Sequence, residues 1–264
     1  MKIAIVSRSG SQLQYFIKDR AMHHLRTQPT LISIELPLKK KIILGNSIRK
    51  RMGSIGLIYF MLTKHLESKC IMKFVSGLDQ KNQEGEIAFR ADDPKLLEFF
   101  IDRKFDLIVL GQNTILPNQL LNSLGTNIVN VHPAKLPDYR GYAEPAHALL
   151  SSKPCDVGFS IHLVSSQVDR GDLITFVKVQ TLPFDSLNMR LTKTRIKGYD
   201  YLFRRVAEIG VLEFLRSAVP QSTLNAQMVS IISYKLRLPL DLKIFIFRLK
   251  NKASRKSPKT FLAE

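Results

Sequence analysis

The 264-residue sequence predicts an α/β fold built on a doubly wound, mostly parallel sheet. Three observations carry that expectation. Short apolar runs alternate with helical stretches at the spacing of βαβ units, first over residues 2–34 and again over 94–131. The runs are continuously apolar, as in DLIVL (106–110), and read as buried strands. The composition is globular: 45% hydrophobic and 23% charged, with 13 Gly and 12 Pro, which excludes disordered, collagen-like and low-complexity classes.

The elements follow in order. KIAIV (2–6) reads as strand one, followed by a turn at SRSGS and a helix, with a second strand at Leu31 to Ile34. Residues 36–69 break the rhythm and read as a basic insertion ending in a helical IGLIYFML. Pro94 to Arg103 reads as a helix with Asp93 as its N-cap and Pro94 at its first position. Asp106 to Leu110 is a strand, Pro117 to Leu124 a short helix closed by Gly125, and Asn127 to Val131 another buried strand. Glu144 to Ser151 is helical, and Asp185 to Gly210 is a long helix. Between them, Val157 to Val164 and Asp172 to Gln180 are strands joined by an Asp-Arg-Gly-Asp turn. The expected division is an αβ domain over 1–210 and a C-terminal extension over 211–264.

Charge sets the chain apart. Forty Lys and Arg against 22 Asp and Glu give +18. Such a chain seeks polyanions: phosphorylated ligands, nucleic acid or an anionic membrane surface. Tyr234 to Glu264 carries net +7 and the cations of 39–51 another +6, together 13 of the 18 net charges. The charge therefore lies in two appendages rather than in the αβ core. The two cysteines, Cys70 and Cys155, cannot staple a scaffold, and the His and Cys residues form no ligand-spaced metal cluster. The first ten residues lack the apolar length of a signal peptide, and Ile55 to Leu62 is far short of a spanning segment, so a cytoplasmic protein is expected.

The chemistry concentrates between 110 and 174. Asn130 and His132 stand two apart at the end of a buried strand, so both point to one face. Carboxyl ends of strands carry the ligand sites of open α/β sheets. Asp169, in the turn between two later strands, can reach that pocket. Amide and imidazole N–H groups stabilise a developing oxyanion, and a carboxylate holds an imidazole protonated or moves a proton through a water. Each residue alone has a structural alternative: a strand-end histidine, a turn aspartate. His162 reads as a satisfied core histidine. Ser9, Gly10 and Ser11 open the first helix, where backbone N–H groups bind phosphate or simply form a βα turn.

The stretches NVHPAKLPDYRGYAEP (130–145), GFSIH (158–162) and VDRGDLI (168–174) together resemble the formyltransferase superfamily. That group includes glycinamide ribonucleotide transformylase, methionyl-tRNA formyltransferase and the nucleotide-sugar N-formyltransferases. The resemblance covers roughly 90 to 180 and implies a Rossmann-like formyltransferase fold. It implies a catalytic triad of Asn130, His132 and Asp169, with 10-formyltetrahydrofolate as co-substrate and no metal. It further implies that Gly111, Gln112, Asn113, Ile115 and Leu116 wall the folate pocket. Ser165, Ser166, Gln167 and Val168 would bind the pterin ring through their backbone, and Tyr139, Arg140 and Gly141 would lie toward the acceptor.

The acceptor is less legible. Arg140, Gly141 and Pro145 are similar to the tRNA and sugar branches, and 211–264 shows no alternating strands of an added barrel. The expectation is a nucleotide-linked amino sugar of surface-polysaccharide (lipopolysaccharide) synthesis, or a similar small phosphorylated amine. A methionyl-tRNA formyltransferase-like enzyme is the alternative, since basic appendages also suit tRNA. An inactive folate- or polyanion-binding member is the third reading. The basic tail also suits an anionic membrane, and segments after the core suit a homodimer.

Overall fold

The structure, a computed structural model, describes residues 1–8, 11–35, 38–75, 86–111, 116–125, 127–141, 145–151, 156–183, 185–221, 227–229 and 234–250. Five strands, β1 (Ile3–Arg8), β2 (Thr30–Glu35), β3 (Glu86–Arg90), β4 (Leu107–Leu110) and β5 (Ile128–His132), run parallel. Two more, β7 (Gly158–Leu163) and β8 (Leu173–Lys178), close the sheet antiparallel, in the order β3-β2-β1-β4-β5-β7-β8. Between β5 and β7 in sequence lies β6 (Tyr139–Gly141), which pairs away from the sheet with β9 (Gln227–Val229). The sheet is the mostly parallel, doubly wound one expected from sequence.

Alternation along the strands explains why helices cover both faces. Ile3, Ile5, Leu107, Val109, Val129 and Val131 point to one core, together with Leu13, Phe16 and Ile17 of helix α1 (Leu13–Leu25) and Leu202 and Phe203 of helix α6 (Leu187–Ile209). Ala4, Val6, Ile108, Leu110 and Ile128 point to the other, against Leu96 and Phe100 of helix α3 (Lys95–Arg103) and Leu120 of helix α4 (Asn118–Leu124). The Asp93 carboxylate accepts the Lys95 amide (2.9 Å), the N-cap role read from sequence. Ser186 caps α6 by accepting the Met189 amide (3.1 Å), so that helix starts two residues after Asp185. Gly198 lets α6 approach the sheet closely, because a Cβ there would stand 2.4 Å from Val131.

Residues 36–69, read from sequence as an insertion, fall largely in α2 (Leu38–Val75), the crossover from β2 to β3. Gly53, at φ 70°, breaks it into two helical arms. Its second arm is tied to α6 by a buried ion pair between Glu67 and Arg195. Burial depresses the Arg195 guanidinium to about 10. Two helices complete the described chain after α5 (Pro145–Leu150) and α6: the short α7 (Val211–Arg216) and α8 (Tyr234–Lys250). Helix α8 is docked rather than loose. Ile244 is buried beside Leu187 and Ala146, and Arg237 donates to Asn188 Oδ1 (2.7 Å).

Candidate active site

The antiparallel pairing of β5 with β7 builds the site. In that register Asn130 stands opposite His162 and His132 opposite Ser160. The Asn130 amide donates to His162 Nε2 (3.2 Å). His162 Nδ1–H donates to the Leu163 carbonyl (2.7 Å), which fixes its tautomer. Asp169 completes the group. Its carboxylate oxygens lie 3.6 Å from His132 Nδ1 and 3.5 Å from His162 Nε2, and one of them accepts the Gly141 amide (2.8 Å). His132 and Asp169 therefore meet directly, and His162, read from sequence as a core residue, links Asn130 to them. Its signal was its position across the ladder from Asn130, which only the strand pairing reveals.

The turn that delivers Asp169 is strained. Asp169 has φ +53°, a left-handed conformation that short polar side chains tolerate better than most. Gly171 allows the turn to close on β7, since a Cβ there would lie 1.8 Å from the Leu163 carbonyl oxygen. Gln221, from beyond the αβ core, braces the turn. Its amide donates to the carbonyls of Asp169 (3.1 Å) and Gly171 (2.6 Å), and its oxygen accepts from Arg140 (3.1 Å).

A further layer orients His132. Its Nε2–H donates to the Tyr139 carbonyl (2.8 Å). Ser160 accepts the Leu136 amide (2.9 Å) and donates to the Ala134 carbonyl (2.8 Å), pinning the loop that follows the histidine. Tyr139 and Gly141, expected near the acceptor, thus meet the group through their backbones. Arg140 is buried, and its Nε has no partner among the described residues.

Electrostatics correct one expectation. Burial lowers the proton affinity of His132 more than Asp169 raises it, and the neighbouring His162 lowers it further. Burial thus disfavours the imidazolium that a neighbouring carboxylate favours, and the Tyr139 carbonyl places the ring proton on Nε2. Asp169 goes the other way on balance. Burial raises its carboxyl, but the adjoining His162 and His132 rings and the Gly141 amide together hold it below the ordinary aspartate value. The pocket therefore holds an ionised carboxylate beside a neutral ring.

Of the other candidates, Gly111 follows β4 and donates to the Val6 carbonyl (2.7 Å), and Leu116 is buried in the core. Gln112, Asn113 and Ile115 lie outside the described residues, as do Ser9 and Gly10. The Ser11 amide bonds the Arg8 carbonyl (3.2 Å) in a βα turn. In the 165–168 turn the Ser165 hydroxyl donates to the Gln167 carbonyl (2.9 Å), while Ser166, Gln167 and Val168 are exposed. An exposed apolar side chain and backbone polar groups thus stand immediately before the buried carboxylate.

The comparisons with known proteins converge on one family. Residues 74–206 match the formyl transferase family model. The chain belongs to the formyl transferase family, whose members are enzymes that transfer formyl groups and use formyl-tetrahydrofolate. Methionyl-tRNA formyltransferase of Listeria monocytogenes is 36% identical over 107 residues, covering 40% of this chain and 34% of that protein. That of Lactobacillus acidophilus is 31% identical over 110 residues, covering 41% and 35%. The match thus spans about a third of the length of these relatives. A 4-N formyltransferase from Francisella tularensis shares the fold at TM-score 0.53 and 17% identity, covering 89% of this chain and 78% of that one. The formyltransferase of Anoxybacillus kamchatkensis, solved with UDP-4,6-dideoxy-4-formamido-L-AltNAc and tetrahydrofolate, has TM-score 0.50 and 16% identity over 91% of both chains.

Proposed function

We propose that this protein is an N-formyltransferase that moves a formyl group from 10-formyltetrahydrofolate to the amine of a nucleotide-linked amino sugar or a similar small phosphorylated acceptor. The observation that carries the reading is the meeting of Asn130, His132 and Asp169, with Asp169 3.6 Å from His132. The folate supplies a formyl group on nitrogen, and the net reaction converts an amine to a formamide and leaves a proton on the folate nitrogen. The backbone of 165–168 and the segment from Gly111 to Leu116 would hold the folate. Asn130 donates one amide N–H to His162 and carries a second, suited to the charge that develops on the transferred oxygen. His132, held by the Tyr139 carbonyl, turns Nδ1 toward Asp169 and can receive a proton there. Asp169, ionised beside it, attracts the proton that the attacking amine loses and steadies the imidazolium while it lasts. Arg140 and Ser11 are assigned to the acceptor side, where its phosphates would gather.

Identity to the methionyl-tRNA formyltransferases favours the second reading, in which the acceptor is charged initiator tRNA. One assay separates the two. Protein, 10-formyltetrahydrofolate and panels of nucleotide amino sugars, glycinamide ribonucleotide and methionyl-tRNA are mixed, and tetrahydrofolate release is read with acceptor mass. A formyl gain on a nucleotide amino sugar is expected. A gain on methionyl-tRNA alone selects the second reading. Absence of turnover and of folate binding overturns both, and folate binding without turnover marks an inactive member. Asn130→Ala and His132→Ala should each lower turnover by about 10²–10⁴, and near-normal transfer in either sinks the triad assignment.

A further inference from the structure

The outer faces of α2 and α8 are unlike the rest of the surface. On the second arm of α2, Ile55, Ile58, Leu62 and Leu66 recur at helical spacing and are exposed by 68, 68, 52 and 42%. The same line continues as Lys69 and Lys73, both exposed. Helix α8 lies beside this arm, joined through the Tyr59 hydroxyl, which donates to Asp241 (2.6 Å). It carries its own exposed row of Leu238, Leu242 and Ile246, with Lys243 on the same outward arc. A monomer rarely leaves so many large apolar side chains contiguous in water.

The acids on the two helices decide what covers this face. Each helix has one: Glu67 on α2 and Asp241 on α8. Glu67 is turned inward to Arg195, and Asp241 is engaged by Tyr59 and lies 3.6 Å from Arg237. The outward face thus combines apolar rows with cations and no acid. A second copy would bring cations against cations. Residues 251–264, whose large apolar residues are Phe261 and Leu262, are too polar to cover it and add Lys252, Arg255, Lys256 and Lys259.

We propose that this face is a docking surface for a bilayer rich in anionic headgroups. The apolar rows would enter the headgroup boundary, and Lys69, Lys73 and Lys243 would meet the lipid phosphates. Among the described residues no helix is long and apolar enough to cross a membrane, so the contact is peripheral. The proposal is independent of the acceptor.

The test is co-sedimentation of the full chain with vesicles of phosphatidylcholine alone or mixed with phosphatidylglycerol, at low and physiological salt. Binding to the mixed vesicles, weakened by salt and nearly absent on phosphatidylcholine, is expected. Ile58→Asp with Leu62→Asp should weaken it at least about tenfold, and Lys69→Gln and Lys73→Gln about fivefold each. These side chains are exposed, so far-UV circular dichroism should match the parent. Failure to pellet with mixed vesicles overturns the proposal. So does binding that the aspartate pair leaves unchanged, because diffuse charge alone would then explain it. A concentration-dependent dimer in light scattering, abolished by the same pair, without vesicle binding, assigns the face to a second copy instead.

Discussion

Replacing Asp169 by Asn tests the electrostatic core of the site with little steric change. The amide is isosteric, and its oxygen can still accept the Gly141 N–H that the carboxylate takes at 2.8 Å. What vanishes is a charge 3.6 Å from His132 Nδ1 in a buried pocket. At an effective dielectric of about 20, a carboxylate and an imidazolium at that separation attract by about 4.6 kcal/mol, or somewhat more than about a thousandfold in proton affinity. Relaxation and entering water take part of that, so a tenfold to hundredfold loss is the conservative expectation. His132 starts below the ordinary imidazole value because burial dominates. The variant should lower it further and keep the ring neutral across the range where the protein is folded.

Two readouts follow. A titration of ring nitrogens by NMR should place the His132 midpoint in the parent below about 6.5, the usual value, and lower again in Asp169→Asn. Formyl transfer should fall by about 10²–10⁴, the ordinary contribution of a positioned proton-transfer group. An unmoved His132 midpoint would mean that the two groups do not interact across 3.6 Å. Normal turnover with a shifted midpoint would mean that their interaction is not used.

Three further predictions concern the supports of the site. Gln221→Leu removes the braces on the Asp169 and Gly171 carbonyls and should lower kcat about tenfold or more while leaving KM for the acceptor nearly unchanged; an unaffected kcat refutes the positioning role. A chain ending at 250 should melt like the parent. One ending at 233 exposes the pocket of Ile244 and strips Asn188 of Arg237, costing about 3 kcal/mol and several degrees in Tm; equal Tm values for the two truncations would contradict the docking of α8. Stability should fall on acidification from pH 7 to 5. The unfolded chain's histidine binds a proton below about 6.5, which folded His132 resists, so the native state loses up to about 1.4 kcal/mol per pH unit there. The depressed Asp169 adds a loss only below about pH 4, the unfolded aspartate range. His132→Gln should flatten the slope in urea midpoints between pH 7 and 5, and identical slopes would refute the assignment.

Local periodicity made most of the sheet legible. The apolar runs of β1, β2, β4 and β5 and the hairpin of β7 and β8 are stretches whose own residues declare them. The ladder of β6 with β9 is three residues on each side and joins Tyr139 to Gln227, too short and too distant for periodicity to betray. Composition marked 36–69 as a basic insertion, and most of it lies in α2, the helix that runs from β2 to β3. Asn130 and His132 were readable from their i, i+2 spacing. Asp169 was placed near them by its turn between two strands, and the family resemblance gave it a role. His162 was read as a core histidine because its own strand offers no local sign of the pairing that sets it opposite Asn130. The pull of burial on His132 was not readable, because a neighbouring charge can be guessed from sequence while burial depends on everything packed around the ring.

The reversal of strand direction after β5 ties these observations together. The chain between β5 and β7 carries β6 and α5 and is long enough for a parallel crossover, yet β7 enters antiparallel. The antiparallel strand instead sets His162 across from Asn130, and the hairpin turn brings Asp169 back over the same face within ten residues. One topological event thus supplies three of the four polar side chains at the pocket with their partners. It also explains the strain at Asp169: a turn short enough to fold back over β7 requires the left-handed residue and the glycine two positions on, Gly171. On the proposed reaction that strain has a use. A carboxylate held ionised against burial, next to an imidazole that burial keeps neutral, leaves the amine's proton a short path with a favourable end.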